Sequence, residues 1–248
     1  MTQENRNDDA VSETVGFILM FSIVILSMSM IYILGYPILQ KHIESSVFEN
    51  AQQSFIVLQS DMKRVAFEQV PVKTMKIKLH SSTLSIDNRS SILINYFYDD
   101  GTGHSHFYNT GEVEFTKDEK VLTYENGGVW AKQPPSGAIM VSKPPIYTGK
   151  LNNTNMTTIG VVNINGRRST GGNGITSITM QHNTSDLITP QEAVDVTVQI
   201  NSVYASQWAR YLDENGFDII NFNSSSVSAR RLHTWLIIGS HDVDVSIM

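Results

Sequence analysis

Two histidines spaced two residues apart are the side chains of this sequence best placed to bind a metal ion. His104 and His106 would face the same side of a β-strand, because side chains alternate across a strand. Neutral imidazoles in that arrangement can bind zinc or copper. The sequence marks no third ligand, so a polar hairpin near Asp99 and Asp100 is the alternative interpretation. We favour the hairpin and expect no metal site and no cofactor.

The run Asp99-Asp100-Gly101 could offer oxygen ligands to calcium. It lacks the fuller ligand spacing of a dedicated calcium loop. Residues 99–103 also have the composition of a hairpin turn, because Asp and Gly accept positive φ at low cost. The turn is the favoured interpretation.

A glycine-rich segment runs from Gly166 to Gly174 and contains Arg167 and Arg168. A phosphate-binding loop would need a strand before it, a helix after it and the lysine-containing spacing of the P-loop, and the sequence offers none of these. We therefore predict a flexible hairpin loop. Its arginines could contact an acidic neighbour or an anionic glycan.

Composition argues against several classes of function. The sequence has no cysteine, which excludes disulfides, thiolate nucleophiles and thiolate metal sites. Its formal net charge of −6 argues against nucleic acid as a partner, because that affinity depends on basic side chains. No serine-hydrolase elbow, zinc-protease motif or catalytic pair of carboxylates can be recognised. We expect a protein that is not an enzyme.

Two features of the sequence could involve carbohydrate. Trp130, Trp208 and Trp235 could form a sugar-binding platform, although aromatic residues of a β-rich domain lie more often in the core. Five N-x-S/T sequons mark possible glycosylation sites if the domain is outside the cell. Their asparagines are Asn88, Asn152, Asn155, Asn183 and Asn223.

The element in front of these candidates is a long apolar segment. From Thr14 to Gln40 no residue is charged, and the run is long enough to cross a hydrocarbon core of about 30 Å as a helix. A buried helix of a soluble core is a poor alternative, because such a helix is seldom apolar on every face. A cleaved signal peptide is a stronger one, but the run exceeds a signal core of about 7–15 residues. We predict a polar leader at residues 1–10 and a transmembrane helix at residues 11–37.

Residues 38–70 predict an amphipathic extension of this helix. Apolar residues recur along it at spacings of three and four, which places them on one stripe. The stripe contains Leu39, Ile43, Val47, Ala51, Phe55, Leu58, Met62 and Val65. Gly35 and Pro37 could kink the helix near the membrane interface, and Pro71 ends the pattern, so the helix is predicted to stop near Val70.

Residues 71–248 predict a β-rich head. Short runs with period-two alternation are separated by clusters of Gly, Asn, Asp and Pro, which is typical of antiparallel strands joined by turns. One short helix interrupts them: Ser202 could cap it, Tyr204, Trp208 and Leu212 share a face, and Gly216 stops it. The expected fold class is α+β, with a long N-terminal helix followed by a mostly antiparallel head.

The segment AVSETVGFILMF, residues 10–21, resembles the N-terminal motif of archaeal type IV pilins and pilin-like surface proteins. In that family a short polar leader precedes the pattern A/G-V-S-x-x-x-G-x-I-L-M and a long apolar helix. The matching residues are Ala10, Val11, Ser12, Gly16, Ile18, Leu19 and Met20. The likeness is strong over residues 1–40 and weaker through the head, where VQINSVYASQWARYL carries it.

The resemblance implies processing and assembly. A membrane prepilin peptidase would cut between Ala10 and Val11, and the helix would lie in membrane lipid before the pilus assembly machinery packs it against copies of itself or related pilins. An early Glu in pilins often meets a neighbour's new terminal amine, which is the role implied for Glu13. The other implied assembly residues are Gly16, Phe17, Ile18, Leu19, Phe21 and Ile25.

Three functions are consistent with the sequence. The resemblance favours a structural or minor subunit of a type IV pilus-like filament, which lies in the cell membrane before assembly and on the cell surface afterwards, with its head outside. Family leaders usually place Lys or Arg before the cut, where this chain has Asp8 and Asp9. An uncut chain would remain a single-span surface protein that binds a ligand, glycan or partner. An anchored extracellular enzyme is the third alternative.

Overall fold

The computed structural model describes residues 6–152 and 154–248, with side chains from residue 14 onward. The chain divides into two compact units, Met1–Val47 and Phe48–Met248. Helix α1 (Arg6–Phe67) contributes residues to both units, and each unit is described separately.

The elements confirm an α+β fold with a long apolar N-terminal helix and a large, mostly antiparallel sheet. The described residues contain a second helix, α2 (Ala205–Glu214). The strands are β1 (Val72–Asp87), β2 (Ser91–Phe97), β3 (Gly103–Tyr108), β4 (Glu112–Lys117), β5 (Lys120–Glu125), β6 (Gly128–Gln133), β7 (Gly137–Ser142), β8 (Ile146–Leu151), β9 (Thr154–Asn165), β10 (Arg168–Ile188), β11 (Val194–Asn201), β12 (Asp218–Phe222) and β13 (Ser226–Ile247).

The first unit contains the apolar part of α1. The helix Thr14–Phe67 is long and apolar enough to cross a membrane, and its most apolar window has a mean hydropathy of 2.5 with none of it buried. The hydroxyls of Ser22 and Ser27 donate hydrogen bonds to the carbonyls of Ile18 and Ile23, each at 2.7 Å. Satisfying these polar groups within the helix lowers the cost of placing them in an apolar environment.

In the second unit, the last part of α1 packs against the sheet. Phe55, Leu58, Met62 and Val65 are completely buried, as the apolar stripe predicted. The helix ends at Phe67 rather than at Val70. The difference arises because Gln69 adopts a positive φ of 53° and the Val70 amide donates back to the Arg64 carbonyl, which closes the helix before the proline.

The strands form one sheet whose central member is the last in sequence. The order is β3-β2-β11-β13-β10-β1-β4-β5-β6-β7, while β9 and β12 also pair with β13 and β8 pairs with β9. The β9–β13 pairing is parallel and every other pairing is antiparallel. Strand β13 therefore pairs with four other strands, β9, β10, β11 and β12.

Strand β1 illustrates how the sequence sets burial. Met75, Ile77 and Leu79 are buried at odd positions, whereas Leu84 and Ile86 are buried at even ones. The register shifts between His80 and Ser82, where Ser81 has a φ of 49°. A bulge of one residue returns the apolar side chains to the same face, because side chains alternate with a period of two.

Two hydrophobic cores lie on opposite faces of this sheet. The first packs beneath α1 and includes Phe55 and Phe115, and the second packs beneath α2 and includes Trp208 and Tyr211. Strand β6 contributes to both: Val129 and Ala131 belong to the first core and Trp130 to the second. Alternation along the strand places these neighbours on opposite faces.

The predicted glycine-rich hairpin loop at residues 166–174 is wrong. Arg168 to Gly174 lie in β10 and pair with β1 from Ile86 to Leu79. Strands β9 and β10 each pair with β13 and do not form a hairpin with each other. Gly172 and Gly174 have φ of 116° and 140° opposite the bulge in β1, so the glycines accommodate an irregular strand pair rather than a loop.

Candidate functional site

The candidate assembly surface is the apolar part of α1. From Val15 to Leu39 the large apolar side chains are all exposed within the described chain, between 48% for Tyr36 and 73% for Ile31. Phe17 and Phe21 stack along the helix with ring centroids 6.3 Å apart. Exposed apolar surface of this extent requires an apolar environment, either lipid or other protein.

Some of the assembly residues predicted from the sequence lie on this surface. Phe17, Ile18, Leu19, Phe21 and Ile25 are exposed. A Cβ on Gly16 would meet no atom within 4 Å, so this position leaves open space for a close neighbour. Ala10, Val11 and Glu13 belong to α1, and their side chains lie outside the described part, so the cleavage and charge-pairing predictions stay predictions.

The two candidate metal-binding histidines lie on the same side of β3, as predicted. Both rings stack on Tyr96 of β2, with centroids 5.0 Å away for His104 and 5.8 Å away for His106. No cluster of three or more potential metal ligands occurs among the residues that the structure describes. With Tyr96 the two histidines form an aromatic cross-strand cluster.

The acidic run Asp99-Asp100-Gly101 forms the turn between β2 and β3. The Thr102 amide donates a hydrogen bond of 2.8 Å to Asp100 Oδ1, and the Gly101 amide donates to the Tyr98 carbonyl at 3.0 Å. The bond from Thr102 lowers the pKa of the exposed Asp100 carboxyl. This carboxylate closes a side-chain turn, which agrees with the hairpin interpretation.

The sequon asparagines differ in how accessible they are. Asn88, Asn152, Asn183 and Asn223 are exposed. Asn155 is half-buried, its side-chain amide donates to the Leu232 carbonyl at 3.4 Å, and the sequon hydroxyl on Thr157 is buried. The four exposed asparagines are therefore better acceptors for a glycan than Asn155.

The three tryptophans separate into core and surface. Trp130 and Trp208 are buried with ring centroids 5.1 Å apart, and Tyr204 stacks on Trp130 at 5.7 Å. Trp235 is 43% exposed. The three rings thus do not form a common platform, and two of them hold α2 on the sheet.

Beside this aromatic cluster lies a buried carboxyl group that the sequence analysis missed. Glu125 accepts hydrogen bonds of 2.8 Å from Trp208 Nε1 and from the Ser202 hydroxyl. Burial raises the pKa of Glu125 to about 7, against the opposing effect of these two bonds. The pairing of α2 with the end of β5 creates this site, and no local sequence signal marks it.

The position of Ser202 corrects the predicted helix cap. The first residue flanking α2 is Tyr204, and no side chain caps the helix. The Ser202 hydroxyl instead accepts from the Tyr204 amide at 2.9 Å and donates to Glu125. The predicted apolar face of α2 is confirmed, because Tyr204, Trp208 and Leu212 are buried.

A second acidic group lies next to Glu125. Glu112 of β4 is directly opposite Glu125 of β5 and is also buried. Burial raises the pKa of Glu112, while the Arg89 guanidinium, which hydrogen-bonds Glu112 and Glu114, opposes that rise. Arg89 is half-exposed, and its positive charge offsets part of the free-energy cost of burying the Glu112 carboxyl at this edge of the core.

Comparison with known proteins assigns a family. Residues 10–246 match DUF7289, a family of unknown function, and the chain belongs to that family. No curated protein matches the chain. No solved structure matches it.

Proposed function

We propose that this member of DUF7289 is a structural or minor subunit of a type IV pilus-like surface filament of an archaeon. Its apolar helix associates with copies of itself or related pilins, and its β-rich head is displayed at the cell surface. The observation that supports this most directly is the exposed apolar surface from Val15 to Leu39. That surface needs lipid before assembly and protein afterwards.

The sequence of this surface adds a second support. Gly16 leaves space beside the helix backbone, and small residues at such points allow helices to approach closely. The motif at residues 10–21 resembles the archaeal pilin N-terminus. Under this proposal a prepilin peptidase removes residues 1–10 and the assembly machinery extracts the helix from the membrane.

Mass spectrometry of the mature N-terminus tests this proposal. Val11 as the first residue supports pilin-type processing. An intact Met1, or a cut beyond Gly35, contradicts it. Electron microscopy of sheared surface material tests assembly separately, since thin filaments that react with an antibody against the head are expected.

A stand-alone membrane-anchored surface protein is the second candidate. The buried stripe of α1 favours it, because Phe55 to Val65 seat the helix in the head without any need for a neighbour. Glycopeptide mapping bears on the exposure of the head outside the cell. Glycans on Asn88, Asn152, Asn183 or Asn223 support that location, and we expect Asn155 to stay unmodified.

A further inference from the structure

A cavity of about 580 Å³ opens in the head between the end of α1 and the segment 140–147. Its volume lies in the range of small-molecule sites, about 300–1,000 Å³. Gln59, Lys63 and Phe67, spaced by four along α1, form one wall. Lys143 and Tyr147 also line the cavity.

Part of the cavity lining is held in place by hydrogen bonds and close packing. The Gln59 side-chain amide donates to the carbonyls of Gly127 at 2.6 Å and Lys143 at 3.0 Å, and its oxygen accepts from the Ser142 hydroxyl. Gly127 has a φ of 77°, and a Cβ there would lie 2.4 Å from Pro145 Cδ. These contacts tie α1 to the segments at Gly127 and Lys143, which lowers the cost of ordering that part of the lining when a ligand binds.

The charge at this cavity is opposite to that of the protein as a whole. Lys63 and Lys143 line it and are exposed, and neither forms an ion pair with any described residue. By contrast, Lys73 pairs with Asp61 at 3.6 Å. None of the lining residues is acidic, although the chain carries a formal net charge of −6. Two unpaired ammonium groups favour an anion at this place.

The remaining lining residues suggest more than a simple anion site. Tyr147 exposes 57% of its surface, and Phe67, Met140 and Pro145 add apolar wall. Ser60 and Ser142 supply hydroxyls. The lining therefore combines ammonium groups for a carboxylate, an aromatic face for the C–H side of a sugar ring, and hydroxyls for its alcohols.

We propose that this cavity binds a carboxylated sugar unit of the uronic acid class. The carboxylate lies between Lys63 and Lys143, and one face of the sugar ring packs on Tyr147. The site belongs to a single chain, so the proposal does not depend on filament assembly. A failure to form filaments and a failure to bind sugar are separate results.

Calorimetric titration of the full chain in detergent micelles with glucuronic acid tests this proposal. We expect saturable binding that weakens at least about fivefold in Lys63→Gln, in Lys143→Gln and in Tyr147→Ala, as loss of one charged or stacked contact predicts. Lys76→Gln is the matched control, because Lys76 is exposed on β1 and does not line the cavity. It is expected to bind like the unmodified chain.

Titrations with glucose, acetate and inorganic phosphate separate the parts of the proposal. Glucuronic acid is expected to bind at least about tenfold more tightly than each of the three, because only it engages both lysines and the aromatic face. If glucose binds as tightly as glucuronic acid, the lysines do not contribute to recognition. If acetate or phosphate binds as tightly as glucuronic acid, the cavity is a general anion site. Either result overturns the proposal, as does the absence of glucuronic acid binding while circular dichroism shows a folded head.

Discussion

Trp208 donates a hydrogen bond to Glu125 across 2.8 Å, which joins α2 to the end of β5 inside the second core. A carboxyl group in such a place is more stable when protonated, and this is the physical cause of its raised pKa of about 7. The indole therefore holds a group whose charge changes near neutral pH.

We expect the head to lose stability as pH rises from about 4.5 to about 7. In that interval native Glu125 retains a proton that the unfolded chain has released, so the free energy of unfolding falls with rising pH, by on the order of 3 kcal/mol in total. Glu125→Gln mimics the protonated form and should flatten this dependence. Urea unfolding of the full chain in micelles, followed by tryptophan fluorescence, measures it.

The control for this prediction is Glu119→Gln, because Glu119 is exposed. That variant should keep the slope of the unmodified chain. A small slope should remain in Glu125→Gln, since burial raises the pKa of Glu112 in the same direction. An unchanged slope in Glu125→Gln would show that this carboxyl is not the responsible group.

Phe55→Ala should lower the free energy of unfolding of the head by about 3–5 kcal/mol, because it empties a completely buried position beneath α1. Val57→Ala is the matched control two residues away, where 51% of the side chain is exposed and the expected loss is below about 1 kcal/mol. Equal losses in the two variants would mean that α1 does not pack on the sheet as described.

Gly127→Ala and Gly137→Ala form a pair that separates backbone strain from steric contact. Both glycines have positive φ, 77° and 82°, so both variants should lose about 1–2 kcal/mol. Only Gly127→Ala brings a Cβ to within 2.4 Å of Pro145 Cδ, and a Cβ at Gly137 meets nothing within 4 Å. We therefore expect an additional loss of about 1–3 kcal/mol in Gly127→Ala, measured by urea unfolding. Identical midpoints would contradict the close contact with Pro145.

Ile25→Lys should abolish membrane retention and filament assembly together. A lysine at the centre of a spanning helix costs about 3 kcal/mol, and the same side chain would be unpaired in an apolar filament core. Membrane fractionation and electron microscopy give the two readouts, with Ile25→Leu as the control that retains both. Normal filaments formed by Ile25→Lys would refute a shared role for the helix in lipid and in assembly.

Local patterns in the sequence predict many of the elements but not the arrangement of the strands. The apolar stripe containing Phe55 and Met62 and the alternation in β1 follow from periodicity, which depends only on neighbouring residues. The glycines opposite the bulge at Ser81 have the composition of a loop, and their strand partner could not be predicted because it is nearly a hundred residues away in sequence. A glycine that allows positive φ in a strand cannot be distinguished, from the sequence alone, from a glycine that allows it in a turn.

Among the candidate sites, those formed by one continuous segment could be predicted from the sequence, and those formed by elements far apart in the chain could not. The exposed apolar surface of α1 could be predicted, because its chemistry lies in one uninterrupted segment. The burial of Glu125 and the cavity beside Gln59 could not, since each depends on contacts between elements far apart in the chain. Asp99 and Asp100 were assigned correctly to a turn because a turn is again a local structure.

The central place of β13 has a consequence for the timing of folding. Strands β9, β10, β11 and β12 all pair with β13, which follows every one of them in the chain. The sheet thus cannot be completed until β13 has been synthesised, whereas the apolar part of α1 precedes every described strand in the chain. Under the proposed function, membrane insertion of the helix would therefore precede completion of the head.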